Sequence, residues 1–231
     1  MIQAINLTKT YNGSTALNGV SFEVKRGEVF CLLGQNGAGK TTTINLFLGF
    51  IEASAGKALI NHVEVRPNLS ETNKMLAYIP EVVQLYGNLT GIENLDFFSR
   101  LAGFIYKQDQ LARFLTKAGL QEEAHGKHLS TYSKGMRQKV GIAIALSKNA
   151  DVIFMDEPTS GLDPKATAEF TTICKELAKE GKSIFMATHD IFNAVNVGSR
   201  IGIMKSGRLV QELLTADISA NQLQQLYLET I

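Results

Sequence analysis

The residues GQNGAGKTT, from Gly34 to Thr42, constrain the fold of this chain more than any other part of its sequence. They follow the apolar run VFCLL, which has the length and character of a strand buried on both faces. They precede TTTINLFLGF, in which Ile44, Phe47 and Leu48 are spaced to share one face of a helix. The order of strand, glycine-rich loop and helix predicts a βα unit of an α/β domain.

The loop matches the pattern G-x-x-x-x-G-K-[ST], which binds phosphate when a strand precedes it and a helix follows. Glycines let successive backbone N–H groups face a phosphate chain, and the helix N-terminus adds its positive dipole end. In this pattern Lys40 pairs with the β- and γ-phosphates, and the Thr41 hydroxyl ligates Mg²⁺. The alternative is a chance match in a glycine-rich turn. We expect the phosphate-binding residues to be Asn36, Gly37, Ala38, Gly39, Lys40, Thr41 and Thr42.

A bound nucleoside triphosphate with Mg²⁺ also needs acidic partners, and the segment VIFMDEP provides two at the end of an apolar strand. Asp156 can hold Mg²⁺ through water, while Glu157 can polarise the attacking water. The strand SIFMATH ends in His189, whose neutral ring could hydrogen-bond the γ-phosphate. The alternatives are a solvated turn for the carboxylates and a helix cap for the histidine. We expect Lys40, Glu157 and His189 to act in catalysis.

Hydrophobic patterning predicts a single α/β domain over residues 1–231, with a mostly parallel core sheet and an N-terminal antiparallel β part. IQAINL and VSFEVKRG alternate apolar and polar residues, as half-exposed antiparallel strands do. From about 90 to 148 the chain reads as helical, with a capping box at Thr90–Glu93 and a long helix opened by Ser133. We therefore expect a catalytic core from residues 1–89 and 149–231, and an inserted α-helical subdomain from about 90 to 148.

Composition excludes several classes of protein. The chain carries 23 basic and 22 acidic residues, a formal net charge of +1, which gives no electrostatic footprint for nucleic acid. No segment approaches the roughly 18 to 20 consecutive apolar residues that span a bilayer. The N-terminal segment shows no secretory signal, and Cys31 and Cys174 are expected to be reduced core thiols of a cytosolic protein. Any role at a membrane would therefore require a separate partner chain.

Three histidines raise the possibility of a metal site. His125 and His128 are three residues apart and lie beside two glutamates, while His62 is distant in sequence. Without a cysteine or a second matched pair, this spacing does not make a metal site. We expect all three histidines to lie on the surface.

The order of these motifs, together with YSKGMRQK at a predicted helix start, resembles the ATP-binding subunit of ABC transporters over nearly the whole chain. GQNGAGKTT resembles the Walker A motif of this P-loop NTPase (RecA-like) family, and VIFMDEP resembles Walker B with its catalytic glutamate. SGLD, from Ser160 to Asp163, resembles the D-loop, and His189 the switch histidine. The resemblance implies ATP and Mg²⁺ as ligands. It also implies that Tyr11 stacks on adenine, and that Ser133 and Gly135 of one subunit close over the ATP of another.

Two positions depart from the family pattern. The signature, usually Leu-Ser-Gly-Gly-Gln, reads Tyr-Ser-Lys-Gly-Met here, with Lys134 in place of a glycine. We expect Lys134 to face solvent; the alternative is that it adds positive charge near phosphate. The Q-loop position holds Glu81, a carboxylate that can approach Mg²⁺ or the lytic water and that adds negative charge near the phosphates. Both departures resemble the branch that serves export permeases for drugs, antibiotics, ions or polysaccharides. The metal ligands expected on this basis are Thr41, Asp156 and Glu81.

The resemblance also implies partners. The chain is expected to form a homodimer, or to pair with a paralogous ATPase, and to bind a polytopic permease at the cytoplasmic face of the cell membrane. The apolar segment after Glu81 is interpreted as a groove for a permease helix; alternatively Val82, Val83, Leu85 and Tyr86 fold into the helical subdomain's own core. A second function stays open, in which the ATPase is a mechanical switch that regulates a membrane or cell-wall complex without transporting a substrate.

Overall fold

The computed structural model describes residues 1–230, which form two β-sheets and a set of helices. The strands are β1 (Ile2–Tyr11), β2 (Ser14–Val24), β3 (Val29–Gly34), β4 (Ala55–Ile60), β5 (Val63–Glu64), β6 (Leu76–Ile79), β7 (Val152–Asp156), β8 (Ser183–Thr188), β9 (Arg200–Lys205) and β10 (Arg208–Leu214). The α-helices are α1 (Lys40–Phe47), α2 (Leu69–Met75), α3 (Gly91–Leu101), α4 (Gln108–Lys117), α5 (Glu122–His125), α6 (Lys134–Ser147), α7 (Pro164–Lys179), α8 (Ile191–Val197) and α9 (Ala220–Thr230).

The two sheets divide the strands as the sequence patterning predicts. The first sheet is antiparallel, in the order β2-β1-β4-β5. The second has the order β10-β9-β3-β8-β7-β6 and is parallel except for the hairpin of β9 and β10. That hairpin turns at Ser206 and Gly207, both with positive φ. The predicted α/β class, with an antiparallel part and a mostly parallel core sheet, is confirmed.

Strand β3 shows why its sequence is apolar at every position. Val29, Cys31 and Leu33 pack into a core on one face of the sheet. Phe30 and Leu32 alternate with them and pack into a second core on the other face. Because successive side chains of a strand point to opposite faces, burial on both faces requires an unbroken apolar run. Burial on both faces holds β3 in the centre of the core sheet, and the glycine-rich loop follows directly from its end.

The second core contains an aromatic layer between the two sheets and helix α1. Phe22 stacks on Phe30 at a centroid distance of 5.3 Å and on Phe185 at 5.4 Å. Phe47 of α1 stacks on Phe154 of β7, also at 5.3 Å. Each buried ring of this size stabilises the fold by roughly 1.5–3 kcal/mol. The layer therefore anchors α1, and with it the end of the glycine-rich loop, to the core sheet.

Helices α3 to α6 lie between β6 and β7 in the chain, and α6 packs on both α3 and α4. The capping box at the start of α3 is present, since the Thr90 side chain accepts from the Glu93 N–H and the Glu93 carboxylate accepts from the Thr90 N–H. Ser133 caps α6 by accepting from the Met136 N–H at 3.3 Å. Both helix starts were predicted, whereas the short helices α2 and α5 were not.

Buried polar and thiol groups correct one prediction and confirm another. The prediction that His125 lies on the surface is wrong. It belongs to α5, is 8% exposed, and its Nε2 lies 3.2 Å from the Leu120 carbonyl oxygen. His62 and His128 are exposed, as expected. Cys31 and Cys174 are free and fully buried, and burial raises the pKa of the Cys31 thiol to about 12, so it is inert as a nucleophile. No helix within residues 1–230 combines the length and the hydropathy needed to cross a membrane.

Candidate functional site

The parallel strands bring the predicted site residues to one edge of the core sheet. Strands β3, β8, β7 and β6 are parallel neighbours, so the residues that follow their carboxyl ends lie side by side. A cavity of about 240 Å³ opens at this edge. Its walls come from the β1–β2 side, the glycine-rich loop and the ends of β6 and β7: Ala16, Gln35, Asn36, Gly37, Gly39, Lys40, Thr41, Thr42, Glu81, Asp156 and Glu157.

The loop backbone depends on glycine at two positions inside the motif. Gly37 has φ +82° and Gly39 has φ +109°, in the region that L-residues rarely adopt. A Cβ on Gly39 would lie 2.7 Å from the Ala16 carbonyl oxygen and 2.7 Å from a Leu17 methyl carbon. Glycine is thus required at both positions by the backbone conformation, and at Gly39 also by close packing. Ala38, the remaining small residue of the loop, is buried and does not line this cavity.

Lys40 lies folded against its own loop. Its side chain is only 6% exposed, and Nζ donates to the carbonyl oxygens of Gly34 at 2.6 Å and Gln35 at 3.3 Å. The same Nζ lies 3.5 Å from Oε1 of Glu157. These contacts satisfy the buried Nζ and place it between the loop and the end of β7.

Two of the three predicted metal ligands contact each other. The Thr41 hydroxyl donates to Oδ2 of Asp156 at 2.9 Å. Burial raises the pKa of Asp156 above its ordinary value, the Thr41 hydrogen bond and the Lys40 charge lower it, and the charges of Glu157 and Glu81 raise it. The net direction is upward, so the ionised carboxylate is not fully compensated by its surroundings, which suits a group that binds a cation.

The donor chemistry fits Mg²⁺. This ion prefers oxygen ligands and is usually held by one or two carboxylates together with substrate phosphates. Asp156 and Thr41 supply such oxygens, and Oε1 of Glu157 is a buried acceptor with no hydrogen-bond partner among the described residues. Within residues 1–230 no group of three His, Cys, Asp or Glu side chains is arranged to hold a metal alone. The site thus fits an ion that arrives with a phosphate-bearing ligand.

Glu157 and His189 form a hydrogen-bonded pair. Nδ1 of His189 lies 2.9 Å from Oε2 of Glu157, and the His189 backbone N–H donates to the same oxygen at 3.3 Å. Glu157 has φ +45°, a strained backbone conformation for a residue with a Cβ. Its N–H donates to the Ala187 carbonyl oxygen at 2.9 Å, which helps to hold that conformation. The carboxylate of Glu157 is thereby aimed between Lys40 and His189.

Glu81 lines the cavity, but its carboxylate contacts Ser160 and Lys134 rather than Asp156. Its Oε1 accepts from the Ser160 hydroxyl at 2.9 Å and lies 3.8 Å from Nζ of Lys134. The expectation that Lys134 faces solvent is therefore wrong, since its side chain is 34% exposed and directed at Glu81. Two residues that depart from the family pattern thus contact each other within one chain.

The signature residues lie apart from this cavity. Ser133 and Gly135 line a separate cavity of about 210 Å³ between α6, α7 and the α4–α5 segment. Tyr11, at the end of β1, is 42% exposed and lies against the Lys9 ammonium at 4.9 Å, but it does not line the cavity of the glycine-rich loop. Ser133 and Gly135 therefore lie apart from the phosphate loop within one chain, whereas Tyr11 lies on the β1–β2 hairpin, which supplies Ala16 to the cavity wall.

The apolar segment after Glu81 divides between core and surface. Val83 is 8% exposed and Leu85 is partly buried, and both pack into the core. Val82 and Tyr86 are 56% and 49% exposed. Phe97, 37% exposed, packs edge-on against Tyr86 at a centroid distance of 5.1 Å and so belongs to the same surface. Val83 and Leu85 thus fold into the core, while Val82 and Tyr86 stay exposed, and the interpretation of the segment as a groove for a permease helix stays a prediction.

Two contributors to the site were not identified from the sequence. Ser160 was assigned only to the D-loop, yet its hydroxyl holds Glu81. Gln138 is 1% exposed, and its Nε2 donates to the carbonyl oxygens of Pro80 at 3.3 Å and Glu81 at 3.1 Å. Gln138 lies on the buried face of α6 among apolar residues. Because a buried amide needs hydrogen-bond partners, this position could have indicated a contact with another segment.

Together, the fold and the cavity define a nucleotide-binding cassette of the P-loop class. The sequence profile of the family described as ABC transporter matches residues 17–160. The linearmycin resistance ATP-binding protein LnrL of Bacillus subtilis is 32% identical over 91% of this chain and 68% of its own length. The bacitracin transport ATP-binding protein BcrA of Bacillus licheniformis is 35% identical over 92% of this chain and 69% of its own. The chain belongs to the ABC transporter family and is its ATP-binding, ATP-hydrolysing subunit.

Solved structures agree with this assignment. A bacterial ABC transporter cassette solved as a dimer has a TM-score of 0.81, with 28% identity, over 93% of this chain and 99% of that one. The same cassette in a post-hydrolysis state bound to ADP and Pi also gives 0.81, with 27% identity and the same coverage. An ATP-binding subunit of another ABC transporter gives 0.83 with 30% identity, over 99% of this chain and 98% of that one. The predicted fold, family and ATPase class are confirmed.

Proposed function

We propose that this chain binds ATP with Mg²⁺ in the cavity of the glycine-rich loop and hydrolyses it to drive an export permease. The observation that supports this most directly is the convergence of Lys40, Thr41, Asp156 and Glu157 on one cavity of about 240 Å³. A cation, a hydroxyl and two carboxylates at the mouth of a phosphate loop are the groups that phosphoryl transfer requires.

Each residue then has a distinct role. Lys40 and the loop N–H groups bind the β- and γ-phosphates, and Tyr11 stacks on the adenine. Thr41 and Asp156 hold Mg²⁺, which supplies positive charge that screens the phosphates when it is bound. Glu157 accepts the proton of the attacking water, while His189 orients Glu157 through Nδ1 and faces the γ-phosphate with the rest of its ring. Lys40 stabilises the charge that develops on the transferred phosphoryl group.

The remaining predicted ligands point to a second copy or a paralogous ATPase. Ser133 and Gly135 line a different cavity from Lys40, at the N-terminus of α6, where backbone N–H groups suit an anion. We propose that they close over the ATP of the partner subunit. The core of residues 1–89 and 149–231 and the helical segment of about 90–148 then act as two subdomains in this closure.

The test is the variant Glu157→Gln, which keeps the size of the side chain but removes the base. We expect it to lose ATP hydrolysis roughly 10²-fold or more and to accumulate as an ATP-bound dimer. Size-exclusion chromatography with and without ATP·Mg²⁺ measures the dimer, and phosphate release measures turnover. The matched control is Glu180→Gln, a surface glutamate paired with Lys117. Wild-type hydrolysis in Glu157→Gln would exclude Glu157 as the base.

Export is supported by the relatives, two of which are named for linearmycin resistance and bacitracin transport. We propose that the exposed apolar surface of Val82, Tyr86 and Phe97 binds a helix of a membrane permease. Exposed patches of this kind mark interaction sites. In this arrangement the chain is peripheral at the cytoplasmic face of the cell membrane.

The docking proposal is tested with Val82→Glu, which replaces a 56% exposed apolar side chain of this surface by a charged one. Co-purification from native membranes in mild detergent should recover a polytopic permease with the wild-type chain and markedly less with the variant. Val210→Glu is the matched control, because Val210 is 44% exposed on β10 and lies outside this surface. Recovery of a few-helix scaffold instead of a permease would favour the switch function over transport.

A further inference from the structure

The Glu81 carboxylate joins three segments of the chain. Glu81 follows β6, Ser160 follows β7, and Lys134 begins α6. Oε1 of Glu81 accepts from the Ser160 hydroxyl at 2.9 Å and lies 3.8 Å from the Lys134 ammonium. One carboxylate oxygen therefore ties the helix that carries the signature to two loops of the core.

Helix α6 also holds the backbone of the same residue. Gln138 lies one turn after Lys134, so both side chains project from one face of α6. The Gln138 amide nitrogen donates to the Glu81 carbonyl oxygen at 3.1 Å, and the side chain is 1% exposed. Glu81 is thus positioned twice by α6, at its main chain by a buried amide and at its carboxylate by Lys134.

The carboxylate that Lys134 contacts also faces the nucleotide cavity. Glu81 lines that cavity together with Asp156 and Glu157, so three carboxylates meet where a triphosphate is expected. The negative charge of these carboxylates repels an incoming polyanion, and a nearby ammonium reduces that repulsion. The Lys134–Glu81 contact is half exposed, so its contribution is limited to the range of surface ion pairs.

Resting on the proposed function, we propose that Lys134 is a positioning residue that holds Glu81 on Ser160 and thereby sets the Mg²⁺ requirement of nucleotide binding. While the contact is made, the Glu81 charge is partly compensated and its Oε1 is engaged. When Lys134 is removed, the Glu81 charge is less compensated and the carboxylate is more available to Mg²⁺. Nucleotide without Mg²⁺ then binds more weakly, and less Mg²⁺ is needed to reach half-saturation.

The experiment measures binding, not turnover. A fluorescent non-hydrolysable ATP analogue is titrated against wild type, Lys134→Met, Glu81→Gln and the double variant, at a series of Mg²⁺ concentrations and in EDTA. Lys134→Met should lower the half-saturating Mg²⁺ concentration and weaken binding in EDTA, each roughly two- to five-fold. In the Glu81→Gln background the lysine substitution should change neither quantity, because the partner charge is already gone.

Controls separate this effect from a general loss of packing. Lys134→Arg keeps the charge and should restore wild-type values, and Lys134→Gln repeats the test if the methionine variant melts early. Lys117→Met removes a different ion pair that also ties the helical segment to α7, at 2.7 Å from Glu180, and should leave the Mg²⁺ dependence unchanged.

The outcomes distinguish this inference from the function on which it rests. A shift that persists in the Glu81→Gln background would mean that Lys134 acts on a nucleotide directly, which overturns the inference. The absence of any shift in both Lys134→Met and Lys134→Gln also overturns it. If the wild-type chain binds no nucleotide at any Mg²⁺ concentration, the proposed site itself fails.

Discussion

Oε2 of Glu157 lies 2.9 Å from Nδ1 of His189 and 3.3 Å from the backbone nitrogen of the same residue. Two donors from one residue fix the direction of a carboxylate more firmly than either does alone. Since Glu157 is 15% exposed and His189 is 60% exposed, the histidine can be replaced without opening a cavity in the core. The pair therefore permits a clean test of orientation.

The first prediction concerns this orientation. His189→Ala should lower the kcat of ATP hydrolysis roughly 10²-fold while leaving the affinity for ATP close to that of wild type, because the loop and Lys40 remain. Steady-state kinetics and nucleotide titration measure the two effects separately. The matched control is His128→Ala, an exposed histidine outside the site. Equal losses in kcat for the two variants would remove the orienting role.

The second prediction concerns the backbone of Glu157, which has φ +45°. Glu157→Ala and Glu157→Gly both remove the carboxylate, but only alanine keeps a Cβ in the left-handed region. The glycine variant should therefore be more stable than the alanine variant by about 1 kcal/mol, although glycine loses more backbone entropy on folding. Urea denaturation with a common slope measures the difference. A more stable alanine variant would show that this conformation carries no strain.

Sequence patterning predicts the architecture because the core strands are apolar on both faces and the loop motif requires a strand before it and a helix after it. It also predicts Ser133 as a helix cap, since an N-cap serine and its helix are adjacent in sequence. These are local relationships. The φ of Glu157 is not predictable in this way, because it depends on a bond to Ala187, on a strand that follows later in the chain.

The contacts of Lys134 and Gln138 show a second limit. The sequence pattern of α6 indicates neither that the Lys134 ammonium reaches the Glu81 carboxylate nor that the Gln138 amide reaches the Glu81 backbone. The partner comes from the loop after β6, more than fifty residues earlier, and its position depends on how α6 packs against the core sheet. Lys134 and Glu81 both depart from the family pattern, which suggests that they are related. The sequence does not show that their side chains are in contact.

The third prediction concerns the close approach at Gly39. A Cβ there would meet the Ala16 carbonyl oxygen and a Leu17 carbon at 2.7 Å, at φ +109°. Gly39→Ala should therefore destabilise the fold by roughly 2–4 kcal/mol. Gly13→Ala is the matched control, because it has φ +85° but no atom within 4 Å of the added carbon. Its cost should be only about 1 kcal/mol. Equal losses by urea denaturation would mean that packing at Gly39 contributes nothing.

The last prediction follows from the pKa of Asp156, which burial raises above its ordinary value. A raised pKa means that the folded chain binds more protons than the unfolded chain between the ordinary and the raised value. Stability from this group is therefore present at low pH and is lost as pH rises through the raised pKa. At neutral pH the wild type retains the full penalty of an ionised, partly buried carboxylate.

Asp156→Asn removes that penalty while its amide oxygen can still accept from Thr41. The variant should melt at a higher temperature than wild type at neutral pH, and its advantage should shrink as pH falls towards the ordinary aspartate pKa. It should also lose the Mg²⁺ dependence of nucleotide binding, since an amide is a poorer ligand for Mg²⁺ than a carboxylate. Asp109→Asn makes the same charge change at an exposed position of α4. It should change neither the melting temperature at neutral pH nor the Mg²⁺ dependence of nucleotide binding. If Asp156→Asn lowered the melting temperature at neutral pH, the carboxylate would be a net stabiliser of the fold, and the charge imbalance assigned to this site would be incorrect.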